Sequence, residues 1–254
     1  MQRISLIWVV ILLLSPFSVS WAQAPEWSNG LVWYQIFPER FRNGDLTNEP
    51  NKQRARGPEG WSLSSWTSDW YVRVQWEQQA TPNFYDIVRE RRYGGDLQGV
   101  IDQLDYLQDL GIGGIYFNPV FDAQSMHKYD ATYYHHIDRN FGPNPTADIT
   151  QFANENPADP STWEWSSADS LFLKLIQQAH QRGIKVIIDG VFNHTGTEFW
   201  AFQHLIKHQE ESPYRHWYSV LSFDDPSTSE NEFDYEGWWG FKGLPVFKET
   251  DGNL

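Results

Sequence analysis

Asp189, Asn193 and His194 crowd the end of a dense apolar run, "IKVIIDGVFNHTG". Such a run reads as a buried strand, and polar side chains at its end are costly unless something holds them. Either a hydrogen-bond network satisfies them or they face a ligand. A second group, Asn43, Asp45, Asn48 and Glu49 in "FRNGDLTNEP", offers hard oxygen donors in a tight turn, a set that suits calcium. It is not an EF-hand loop, because the sixth position is Asn48 rather than glycine and the twelfth is Arg54. Taken alone, Asn43-Gly44-Asp45 is more often a plain turn than a cation loop. His135-His136, near Asp130 and Asp138, lacks H-x-x-x-H or H-E-x-x-H spacing and is expected to be a pair of surface or loop histidines. Asn193-His194-Thr195 matches a glycosylation sequon, which a strand-end position argues against using.

These residues need elements to place them. "DLQGVIDQLDYLQDLGIGGIYFNPVF" begins with Asp96 as a helix N-cap, continues with Leu97, Val100, Ile101, Leu104 and Leu107 on one face, and stops at Gly111. A strand from Ile112 to Phe117 follows at once. "SSADSLFLKLIQQAHQRGIKVIIDGVF" repeats the design, with a Ser166/Asp169 capping box, a stripe of Leu171, Leu175, Ile176 and Ala179, a stop at Gly183 and a strand from Ile184 to Phe192. "LVWYQIF", Leu31 to Phe37, supplies an earlier strand.

Helix, glycine, continuous apolar strand is the αβ half of a βαβ unit in a parallel sheet covered by helices. The αβ links are a residue or two long, whereas the βα links are long. This asymmetry favours a barrel whose site lies at the strand C-termini over a doubly wound sheet, and no Gly-rich turn follows Phe37. The expected fold is α/β: the first three βα units of a (β/α)8 TIM barrel, an incomplete barrel, with an inserted subdomain after strand three. That subdomain, residues 195–254, is rich in aromatics that serve either as its core or as sugar platforms, and residues 23–194 form the barrel portion.

Residues 1–22 read as a secretory signal peptide, with Arg3, an apolar core from Ile4 to Leu14, and Ser20-Trp21-Ala22 as cleavage site. An uncleaved anchor is the alternative, but the apolar run is short for a span. A secreted or periplasmic location with no stable membrane insertion after cleavage follows. The net charge of −14 argues against nucleic acid as a partner. The chain has no cysteine, so an exported form has no disulfide staples.

"GIKVIIDGVFNHTG" resembles the first signature region of the α-amylase family of glycoside hydrolases, where Asp-x-Val-x-Asn-His closes strand three. "GGDLQGVIDQLDYLQDLGIGGIYFNPVF" is similar to the family's strand-two unit, "HKYDATYYHHID" to its Lys-Tyr-Asp loop, and "WYQIFPERFRNGD" to strand one of its neopullulanase and cyclomaltodextrinase branch. "GLPVFKE" is a weaker echo of a fifth region. The resemblance implies a retaining hydrolase of α-glucans such as starch, maltooligosaccharides, pullulan or cyclodextrin. It implies that Tyr129 stacks on a sugar, that His194 donates to a hydroxyl of that sugar, and that Asp189 holds the loop. It also implies structural Ca2+ on Asn43, Asp45, Asn48 and Glu49 together with Gly94 and Asp96 of a Gly-Gly-Asp. Glu49 stands where that branch usually has aspartate. Asn193 is a further, weaker calcium candidate.

The family's nucleophilic Asp, acid/base Glu and a third Asp come from strands four, five and seven. No Gly-x-Arg-x-Asp lies between Thr197 and Leu254, so the chain is expected to be an N-terminal portion, with no catalytic residue of its own and inactive alone. A non-catalytic α-glucan-binding protein of the same fold is the alternative.

Overall fold

Three short parallel strands, β1 (Trp33–Ile36), β2 (Gly114–Phe117) and β5 (Lys185–Ile188), pair in the order β1-β2-β5. Tyr34 lies opposite Ile115, which lies opposite Val186. The computed structural model describes residues 24–248, apart from 51, 53, 67 and 68. The signal-peptide expectation therefore lies outside the described residues. Met1–Leu31 and Val32–Leu254 separate into two units. In the first, Glu26–Ser28 form one 3-10 turn, with the Ser28 hydroxyl donating to the Pro25 carbonyl at 2.7 Å.

In the second unit, alternation along the strands sends Ile36, Ile115 and Phe117 into the core. Helices α4 (Leu97–Ile101) and α5 (Leu104–Asp109) together occupy the stretch expected as one helix, broken at Asp102-Gln103. Asp96 caps α4 through Gly99 N at 2.7 Å, and the apolar stripe Leu97, Val100, Leu104, Leu107 is fully buried. Each such side chain contributes about 1.5–3 kcal/mol by leaving water. Helix α7 (Ser167–Gln181) carries the expected Ser166/Asp169 capping box and buries Phe172, Leu175 and Ala179. Gly111 and Gly183, at φ 81° and 75°, stop the helices in the left-handed conformation that glycine adopts without strain.

The strands are shorter than the apolar runs around them, because pairing stops where the chain turns into site loops. The link from β1 to α4 holds three short helices, α1 (Pro38–Phe41), α2 (Gln75–Ala80) and α3 (Phe84–Val88). The link from β2 to α7 holds an antiparallel pair, β3 (Phe121–Ala123) with β4 (Ala131–Ile137), and helix α6 (Pro145–Asn154). After β5 comes α8 (Trp200–His208), whose Ala201, Phe202 and Leu205 bury against Phe199 and Tyr218 in a second core. Short pairs β6 (Val220–Ser222) with β7 (Asp234–Tyr235), and β8 (Gly237–Trp238) with β9 (Phe241–Pro245), follow. Among the described residues no helix is long and apolar enough to cross a membrane.

Candidate active site and cation sites

The C-terminal ends of all three parallel strands meet in one run of hydrogen bonds. Gln35 Nε2 of β1 donates to Asn118 Oδ1 at 2.8 Å, just past β2. Asn118 Nδ2 reaches the Tyr129 hydroxyl at 3.5 Å, and that hydroxyl donates to Asp189 Oδ2 at 2.9 Å, just past β5. The backbone makes this possible: Asn118 N bonds Ile36 O and Asp189 N bonds Phe117 O, both at 2.9 Å, extending the ladder to the polar residues. Asp189 is therefore held by a network. Burial, then its bond to Asp189, pushes the Tyr129 phenol up to about 12. Burial and the same carboxylate also raise Tyr116.

Tyr129 sits on a loop that is tied from behind. Lys128 adopts φ 62°, unusual for a residue with a Cβ, and its Nζ donates to Asp138 Oδ2 at 2.6 Å and Ala123 O at 3.1 Å. Asp130 accepts from Ser125 through both backbone and hydroxyl. His194 is buried, with Nε2 3.1 Å from the Tyr129 carbonyl and Nδ1 2.6 Å from Asn193 Nδ2. A carbonyl only accepts, so Nε2 carries the proton and Nδ1 accepts from the amide. Burial lowers its pKa, which favours this neutral form. The Trp238 ring lies 5.4 Å away. Asn193 is exposed at this corner, and its carbonyl accepts from Phe247 N at 3.0 Å.

The oxygen-rich loop is organised around Asp96. Its carboxylate accepts from Asp45 N at 2.8 Å, Gly44 N at 3.1 Å and Asn48 Nδ2 at 3.2 Å, besides capping α4. Gly44 is forced by contact: a Cβ there would lie 2.3 Å from Gly99 N. Asn43 sits beside Gly94, where a Cβ would be 2.8 Å from Asn43 Nδ2. Asp45 Oδ1 accepts from Thr47 N at 2.9 Å. Glu49 has an exposed side chain, and its carbonyl accepts from Asn140 Nδ2 at 3.4 Å. The side-chain oxygens of Asn43 and Asn48 are buried without any hydrogen-bond partner.

His135 and His136 are not the surface or loop pair that their spacing suggested. Both lie in β4, and His136 is buried between Asp169 Oδ2 on Nδ1 and Glu155 Oε2 on Nε2, each at 2.8 Å. The partners are 33 and 19 residues away, beyond the reach of any local spacing rule. Burial opposes protonation of His136, but the two carboxylates outweigh it and raise its pKa. Burial and the neighbouring His136 lower His135 to about 4. Gln35 and Tyr116 carried no signal in the sequence. Asn118 lies in the stretch similar to the family's strand-two unit.

The model of the alpha amylase catalytic domain matches residues 35–155 and 166–243. Neopullulanase 2 of Thermoactinomyces vulgaris is 37% identical over 210 residues, covering 83% of this chain and 27% of that protein. Cyclomaltodextrinase of Thermoanaerobacter pseudethanolicus is 38% identical over 200 residues, covering 79% of this chain and 26% of that one. Among solved structures, the cyclic alpha-maltosyl-(1→6)-maltose hydrolase of Arthrobacter globiformis superposes with TM-score 0.60 at 29% identity, covering 89% of this chain and 39% of that chain. The chain thus spans about a quarter of the two curated relatives. With its matched residues running from β1 into β9, this chain belongs to the alpha-amylase family.

Proposed function

We propose that the chain forms the sugar-holding part of an exported α-glucan hydrolase that acts with retention. The observation that carries this reading is the run Gln35–Asn118–Tyr129–Asp189 across the C-terminal ends of three adjacent parallel strands. In this reading the sheet is the first part of a (β/α)8 barrel, residues 195–254 are an inserted subdomain, and residues 1–22 are the export signal. Ligands gather at the strand C-termini of such barrels. With its hydroxyl anchored, Tyr129 has its ring pre-set to stack on a pyranose, and little ordering entropy remains to be lost on binding. His194 keeps its proton on Nε2 and turns that N–H from the Tyr129 carbonyl to a sugar hydroxyl as a hydrogen-bond donor. The substrate class is starch, maltooligosaccharide, pullulan or cyclodextrin, and the nucleophile and acid/base are assigned to residues outside these 254. Calorimetric titration with maltoheptaose tests the reading. Saturable binding without turnover is expected, with Tyr129→Ala weakening it about tenfold, or about 1.4 kcal/mol. A flat titration of a folded sample would sink it.

Calcium belongs to the same proposal. Two buried amide oxygens without partners are costly, about 1–3 kcal/mol each, and a hard cation removes that cost. Asn43, Asp45, Asn48, Glu49, the Gly94 carbonyl and Asp96 are the residues that would hold it. Bound calcium would be structural, tying the loop to the start of α4. EDTA is expected to lower the Tm and added calcium to restore it, with little response in Asn43→Ala/Asn48→Ala. An unchanged Tm under both treatments would remove the site.

A further inference from the structure

We propose that His135, His136 and Glu155 form a binding site for a divalent cation of the zinc type, where β4 meets the C-terminal end of α6. One donor atom from each residue lies within 4.8 Å of the other two. His136 Nε2 is 2.8 Å, and His135 Nε2 3.5 Å, from the same oxygen, Glu155 Oε2. Donors in a tetrahedral shell with bonds of about 2.0–2.1 Å sit about 3.3 Å apart, so the two separations bracket the required value.

Four features favour an ion over an ordinary polar cluster. The buried His135 Nε2 has no hydrogen-bond partner, and Glu155 Oε2 stands at the outer limit of that bond. Asp169 takes Nδ1 of His136, which fixes the ring and leaves Nε2 as the metal-side nitrogen, the carboxylate–histidine arrangement found behind metal ligands. Glu155 Oε1 is occupied by Gln151 Nε2 at 3.1 Å and Glu164 N at 3.0 Å, so its other oxygen faces the histidines. Both rings are clamped: Trp163 stacks on His135 at 4.0 Å and Phe152 on His136 at 4.1 Å. Two imidazoles and one carboxylate, with a fourth position for water, make a zinc-type donor set that calcium does not favour. On binding, the cation replaces the proton shared between His136 Nε2 and Glu155 Oε2, and that proton leaves to solvent.

A competitor for such an ion is the His204/His208 pair on α8, whose rings are 4.2 Å apart. The test therefore titrates the chain, kept in excess calcium, with Zn2+ and with Co2+ as a visible-absorbing stand-in. One equivalent is expected to bind and raise the Tm, with His135→Gln and Glu155→Gln each weakening affinity tenfold or more and His204→Gln/His208→Gln leaving it unchanged. No zinc-dependent shift in the unmutated chain would overturn the proposal, as would a loss confined to the α8 variant. Side-chain nitrogen NMR of the unmutated chain decides the matter even if a variant fails to fold. Zinc-induced shifts on His135 and His136 support the site, and shifts only on other histidines overturn it.

Discussion

Arg91→Met is expected to lower stability by about 3–5 kcal/mol, a large share of the about 5–15 kcal/mol that a folded domain has in reserve. Arg91 is 1% exposed and Glu77 is fully buried. The guanidinium spends all five of its donors: two on the Glu77 carboxylate, one each on the carbonyls of Trp70 and Val72, and one on the Tyr93 hydroxyl. It also lies 5.4 Å from the Trp70 ring centroid and 5.8 Å from that of Phe84. Glu77 in turn accepts from Val74 N at 3.0 Å and so closes the start of α2. Methionine fills the volume but leaves Glu77 buried with no countercharge, and that stranded charge is the main cost. Arg91→Met/Glu77→Met should recover more than half of the loss, whereas Arg91→Lys should not, since one ammonium cannot reproduce the planar fork. Urea denaturation measures all three. A single variant that loses under 1 kcal/mol would show that the pair does not anchor this segment.

Lys128→Met is expected to be comparably severe and to reach the site as well. Lys128 is 4% and Asp138 1% exposed, so removing the ammonium strands another buried carboxylate. Asp138 would keep its bonds from Ala123 N and Asn140 N, at 3.1 and 2.9 Å, but lose the charged one. The left-handed backbone at Lys128 persists because that bond and Lys128 N to Ser125 Oγ, at 3.1 Å, over-determine it. Tyr129 is the next residue. A loss of about 3–5 kcal/mol in denaturation should therefore accompany maltoheptaose binding weakened beyond tenfold, even in the folded fraction. Unchanged affinity in a destabilised variant would separate the loop tether from the sugar-stacking role.

What the sequence disclosed and what it hid divide along one physical line. Asp96, Ser166 with Asp169, Gly111 and Gly183 act within four residues of themselves, and all four expectations match the structure. Strand ends were less legible: the strand expected from Ile184 to Phe192 spans only Lys185–Ile188. The β3–β4 pair was hidden by its register shifts, which break strict alternation. Helix α8 did have a local signal, Ala201, Phe202 and Leu205, inside the stretch expected as an inserted subdomain. Partners such as Gln35 for Asn118, 83 residues apart, or Glu155 for His136 leave no local trace, since only the finished fold brings them together.

The tether between His194 and the Tyr129 carbonyl has a consequence for folding order. It joins residues 65 apart, and the Tyr129–Asp189 bond joins residues 60 apart, so each closes a long loop for a single hydrogen bond. Contacts of that separation pay their closure entropy late, after helices such as α4 and α7 have formed from neighbours in the chain. A refolding chain should therefore show helical circular dichroism before it can hold a sugar. Binding competence that appeared together with the first helical signal would contradict this order.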